Sequence, residues 1–167
     1  SGSDTSSDNG DSGSGDAFYA DGAIELLVPF GTGGGTDTFA RFVAPFLADA
    51  IEGSPSIQTV NVPGGGSING ANEFVLAREH NGMNALVTSA STHVPFFLGE
   101  SAVQYDLNEL QPTLGLPTGG VVYVNPETGI ESAADIHNSN QELVYAGISA
   151  TGLDLVTLLA FEVLEMD

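Results

Sequence analysis

A chain of 167 residues with 41% apolar content has material for one ordinary domain or parts of two lobes. Its 22 Asp and Glu stand against two Arg and no Lys, a formal net charge of -20, so it lacks the clustered cations that hold a nucleic acid or an anionic membrane surface. No apolar run approaches the roughly 20 residues that span a bilayer, and with no Cys there are neither disulfides nor thiolate metal sites.

Charge this one-sided destabilises a compact state at low salt, because like charges repel. At molar ionic strength the screening length falls to roughly 3 Å, and the composition therefore fits a halophilic protein kept hydrated by its acidic surface.

Residues 1–16 are almost wholly Ser, Gly and Asp, a composition that cannot bury enough surface to order itself. The segment 1–22 is expected to be a flexible tether. Its place at the start of the chain leads to the expectation that a signal segment and a lipidated anchor Cys preceded it, holding the protein outside the cell membrane; an ordinary disordered tail is the alternative.

Ala23–Val28 is a short apolar run ending at Pro29, as in a buried strand. A glycine-rich turn follows, and Thr36–Ile51 carries Phe39, Phe42, Val43, Phe46, Leu47 and Ala50 at helical spacing, with Gly53 just beyond. Pro45 inside this run is an objection, since proline costs a helix about 3 kcal/mol. The unit repeats: Ile57–Val62 reads as a strand, Pro63–Ser67 as a second glycine turn, Asn69–Arg78 as a helix, and Ala85–Ser89 as a third strand opening into the polar segment Ser89–His93. Beyond these, Gln111–Leu116, Gly120–Asn125 and Glu142–Ala146 are predicted strands, Ser132–Ile136 a short helix and Gly152–Leu164 a longer one.

Short apolar strands alternating with helices predict an α/β fold, a parallel-type sheet with helices on both faces. Ligands in such sheets gather at the carboxyl ends of the strands, where all three polar turns fall. The pattern divides the chain into a first lobe over 23–115 and the beginning of a second, incomplete lobe over 116–167.

Pro29-Phe30-Gly31-Thr32-Gly33-Gly34-Gly35-Thr36-Asp37 joins a strand to a helix start. Glycines admit a ligand close to the backbone, and the free N–H groups of a first helical turn favour an anion. Pro63-Gly64-Gly65-Gly66-Ser67 is a second turn of this kind. Two converging helix N-termini hold a carboxylate without Lys or Arg. A Walker A loop is excluded, because it needs a Lys. The G-x-G-x-x-G dinucleotide fingerprint fits in part, through Gly31 and Gly33, but Thr36 holds its third position. His80, His93 and His137 are scattered without metal-ligand spacing, and Gly147–Gly152 lacks the G-x-S-x-G elbow of a hydrolase. No catalytic residue and no cofactor or metal is expected.

The run from Val28 to Arg41 resembles the V-P-F-x-x-G-G-x-x-D-x-x-A-R block of the tripartite tricarboxylate transporter solute receptors, the TctC or Bug family. The second turn is similar to that family's N-R-P-G-A-G-G-N-I-G: Asn61, Pro63, Gly64, Gly66 and Gly70 match, whereas Val62, Ser67, Ile68 and Asn69 depart. Asn81-Gly82, Leu86, Tyr105-Asp106, Val124-Asn125-Pro126 and Tyr145-Ala146 follow in the family's order. The resemblance implies a two-lobed, type II periplasmic-binding-protein fold closing on an organic mono-, di- or tricarboxylate, and membrane transporter subunits as partners. It implies a ligand site of Phe30, Gly31, Thr32, Gly33 and Gly34 with Asn61, then Gly65, Gly66 and Ser67, then the hydroxyls of Ser89, Ser91 and Thr92, and finally Ser149, Thr151 and Asp154. Asp154 stands where the family carries His, which brings an amino acid ligand into consideration. Asp37 reads as a helix-start acid favouring the dipole. An α/β enzyme or nucleotide-binding domain using the same turns for a phosphorylated substrate or cofactor, and a truncated, non-functional copy of a receptor, are the alternatives.

Overall fold

The structure, a computed structural model, describes residues 18–20, 22–117, 120–147 and 149–165. Strand β1 (Ala23–Val28) leads into helix α1 (Gly35–Ala50), then β2 (Ser56–Asn61), α2 (Ile68–Ala77) and β3 (Asn84–Leu86). All strands run parallel in the order β2-β1-β3, with Leu26 opposite Thr59 on one side and opposite Ala85 on the other.

The central strand is apolar because both of its faces are covered. Ile24, Leu26 and Val28 point one way and pack with Ala40 and Ala44 of α1, while the alternate residues point the other way. There Glu25 bonds Arg78 at the end of α2. Helices thus lie on the two faces of an α/β sheet, as the alternation predicts.

Helix α1 meets the sheet through its small residues, Ala40 and Ala44, so Phe42 and Phe46 stay exposed with their rings 5.4 Å apart. Pro45 does not stop this helix, which runs on through Ala50. Helix α2 sits close enough that a Cβ on Gly70 would lie 2.5 Å from the carbonyl oxygen of Val62 and 2.7 Å from Pro29. Ile68 and Ala71 of α2 form a second core cluster with Tyr105.

The packed unit reaches back to Tyr19, which lies against the first core cluster. The rest of the predicted tether, residues 1–17 and 21, lies outside the described residues. The third strand is shorter than Ala85–Ser89: pairing covers Asn84–Leu86, and one further bond runs from Val87 N–H to the carbonyl of Leu27.

Helices α3 (His93–Phe97), α4 (Ala133–His137) and α5 (Asp154–Val163) complete the described chain. Helix α4 is where the sequence predicts it, its start fixed by Asp135 accepting the N–H and the hydroxyl of Ser132. The three later strands are not found. Residues 111–116, 120–125 and 142–146 join no sheet among the described residues. Apolar alternation gives a segment the capacity to be a strand, but a strand exists only with a neighbour to hydrogen-bond. Val121, Tyr123 and Val144 are accordingly exposed.

Candidate functional site

Parallel pairing places the three strand-to-helix loops, Pro29–Gly34, Val62–Ser67 and Val87–Thr92, at one edge of the sheet. Strand β1 feeds α1 toward β2, and the chain then crosses to β3 on the other side of β1. The edge therefore contains the reversal of strand order at which open α/β sheets leave a crevice.

The first loop is fastened from below. The Asp37 carboxylate, 3% exposed, accepts the N–H of Gly33 at 2.8 Å and bonds of 3.0 and 2.9 Å from Arg41 Nε and Asn61 Nδ2. Arg41 chiefly, with the Gly33 N–H next, holds this carboxyl at a pKa of about 2. Asn61 also donates to the carbonyl of Phe30 at 3.0 Å and accepts from Arg41 at 2.9 Å and from Thr32 at 3.3 Å. Of the six residues predicted here, Asn61 and Phe30 are joined to each other, Thr32 touches Asn61, and Gly31, Gly33 and Gly34 form an exposed bend above them. Asp37 is more than a helix-start acid, because it takes one of the loop's own N–H groups.

The second loop turns through four consecutive positive φ values: 129° at Gly64, 58° at Gly65, 65° at Gly66 and 100° at Ser67. Glycine holds such angles without strain, and a serine does not. Ser67 is kept there by its burial: its hydroxyl, 1% exposed, accepts from Thr92 Oγ1 at 2.8 Å. Thr92, fully buried, is in turn paired with the Thr88 hydroxyl, and its carbonyl accepts from the Tyr105 hydroxyl at 2.6 Å. Burial, and then Glu100, raises the Tyr105 pKa. A buried file of hydroxyls thus welds the second loop to the third. Thr88 and Tyr105 are absent from the residues predicted for the site; the spacing of Thr88 and Thr92, four apart, was the only local sign of it.

The third loop turns on Ser89, whose hydroxyl accepts the N–H of Ser91 at 3.3 Å. Ser91 Oγ accepts from the N–H of Leu153 at 3.3 Å, which brings in the segment from the second half of the chain. Ser149 lies against Gly66, where a Cβ would meet its Cβ and Oγ at 3.1 Å, and bonds the Thr151 hydroxyl at 3.3 Å. The Asp154 carboxylate accepts from the N–H of Ser149 at 3.0 Å and from the Tyr145 hydroxyl at 2.7 Å.

The predicted residues therefore fall into two groups on one edge. Phe30 to Gly34 and Asn61 make one; Gly65, Gly66, Ser67, Ser89, Ser91, Thr92, Ser149, Thr151 and Asp154 make the other. Two surface depressions lie elsewhere. One of about 430 Å³ separates α1 from β2 beside Arg41, Pro45 and Thr59, and one of about 230 Å³ sits at the amino end of the strands beside Ala23 and Asn84.

Both cations of the chain are used internally. Arg41 is bound as described, and Arg78 pairs with Glu25 at 2.5 Å and Glu73 at 2.9 Å. What the carboxyl edge offers an anion is peptide N–H and hydroxyl. No protein family, no curated protein and no solved structure matches the chain.

Proposed function

We propose that this chain captures a small organic carboxylate as the extracytoplasmic receptor of a tripartite tricarboxylate-type transporter. The sheet and its helices are read as the first lobe of a type II periplasmic-binding-protein fold, and the residues from 116 onward as belonging to the second. The observation that carries the reading is the placement of two glycine-rich strand-to-helix turns on one edge of a parallel sheet, in a chain whose two guanidiniums are both already paired.

The donors suit the charge. Ionised side chains repel an anion over the screening length, about 8 Å at physiological salt and roughly 3 Å at 1 M. Hydrogen bonds from N–H and O–H act at about 2.7–3.2 Å and are not screened in this way. In concentrated salt, then, the short-range attraction outweighs the long-range repulsion. Asp154 does not require an amine on the ligand, because the Ser149 N–H and the Tyr145 hydroxyl already bind its carboxylate.

In this reading the chain binds and releases and catalyses nothing. It works at the outer face of the membrane, and the transporter's membrane subunits are its partners. Calorimetry in concentrated KCl with acetate, succinate, citrate and glutamate tests it: a saturable heat with at least one is expected, and none with any would overturn the reading.

A further inference from the structure

Strand β2 forms one side of the sheet, pairing with β1 alone among the described residues. The N–H groups of Ser56 and Val62 bond the carbonyls of Gly22 and Val28, which turns the even-numbered peptide groups of β2 inward to β1. By the alternation of a strand, Ile57, Thr59 and Asn61 turn their N–H and C=O groups outward.

Exposed strand edges are ordinarily blunted by a charge, a proline, a bulge or a covering element. Strand β2 reads Ser-Ile-Gln-Thr-Val-Asn, without charge or proline, and its register with β1 is unbroken over all 6 residues. In a chain of net charge -20, an uncharged edge is where two copies approach with least repulsion. The flank of α1 beside it is small as well: Ala44, Pro45 and Ala48 share with Ile57 and Thr59 the lining of the depression of about 430 Å³.

Charges at the two ends of β2 fix a direction. Arg41 bonds Asn61 at the carboxyl end, while the exposed Asp49 and Glu52 precede the amino end. Two such edges laid parallel set acids against acids. Laid antiparallel, they set the acids of each copy beside Arg41 of the other.

We propose that β2 is the dimerisation edge of this protein: a second copy adds its own β2 antiparallel, each Thr59 opposite that of the other copy and each Ile57 opposite Asn61, about a twofold axis perpendicular to the sheet. Every outward N–H and C=O of these residues then meets its complement, and the two three-stranded sheets become one. The α1 flanks face each other over the joined strands, where alanine and proline leave the helices room to come close. The dimer does not depend on the carboxylate reading, because it uses the side of the sheet and not the strand ends that carry the loops.

Sedimentation equilibrium of the full chain in KCl of about 1 M, where the screening length is roughly 3 Å, tests it together with amide exchange read by NMR. The mass is expected to rise toward twice that of one chain with concentration, and the amides of Ile57, Thr59 and Asn61 to slow by about tenfold or more as it does. T59P removes an outward donor and no bond to β1, a change that edge strands accept. Its circular dichroism should match the wild type while the dimer dissociation constant rises about tenfold or more. A monomer at every concentration overturns the proposal, and so does a folded T59P that dimerises as tightly as the wild type. A dimer whose Ile57, Thr59 and Asn61 amides exchange as fast as in dilute protein joins by another surface and equally overturns it; that measurement decides alone should T59P not fold.

Discussion

The Asp37 carboxylate accepts the N–H of Gly33 from within the first turn of the helix that the Gly33 loop precedes, at 2.8 Å. An acid and a bend four residues apart thereby fix each other, and the Arg41 guanidinium balances the charge.

The pH dependence of this lock has a definite sign. The Asp37 pKa is lowered to about 2 from 3.8, first by Arg41 and then by the Gly33 N–H. A depressed carboxyl contributes stability above its unfolded pKa and loses it as pH falls through the folded value. The Asp37 contribution is therefore expected to be whole above pH 4 or so and to fade toward pH 2. Carbon-detected NMR titration of the side-chain carboxyl measures the midpoint; a midpoint in the ordinary range near 4 contradicts the lock. In D37N the Gly33 amide should exchange with solvent faster.

Gly70 admits no side chain. In G70A the new methyl meets the Val62 carbonyl at 2.5 Å and Pro29 at 2.7 Å, both of them backbone or ring atoms of the loops. Overpacking of this kind costs about 1–3 kcal/mol, and chemical denaturation should show a loss in that range. A neutral substitution would mean that α2 sits farther from β1 than described.

Thr92 bridges Ser67 and Thr88 in full burial. T92V keeps the shape and removes the hydroxyl, leaving the other two with one fewer partner. An unsatisfied buried group costs about 1–3 kcal/mol, so the unfolding midpoint in denaturant should drop accordingly; a change within error would show that water replaces the bridge.

Salt separates the proposed site from a cation-based one. Anion sites built from Lys or Arg weaken as salt rises, since their attraction is screened. Here the distant charges repel and the near donors attract, so carboxylate affinity should rise between dilute buffer and concentrated KCl, along with the midpoint of thermal unfolding. An affinity that falls with salt would point to a cation in the site.

The first half of the fold was legible because its signals are local. The apolar runs of β1 and β2, and glycines placed between strand and helix, fix those elements within a residue or two. The face of α1 was not legible: Phe42 and Phe46 share a helical spacing as regular as that of Ala40 and Ala44, and close approach to the sheet favours the smaller pair. Residues 120–125 and 142–146 have strand-like composition without a neighbouring strand, and composition does not disclose partners. In the candidate site the glycine turns could be read directly. The Ser67–Thr92 bond joins residues 25 apart, and the Leu153–Ser91 bond residues 62 apart, so nothing local announces either.

Because Arg41, its side chain 48% exposed, and Arg78 are each paired with acids of their own chain, the exterior presents no Lys or Arg charge without a carboxylate beside it to greet another macromolecule. Any protein that docks on it by electrostatic attraction must bring the basic residues itself. A counterpart is best sought, then, among proteins whose docking face is rich in lysine and arginine.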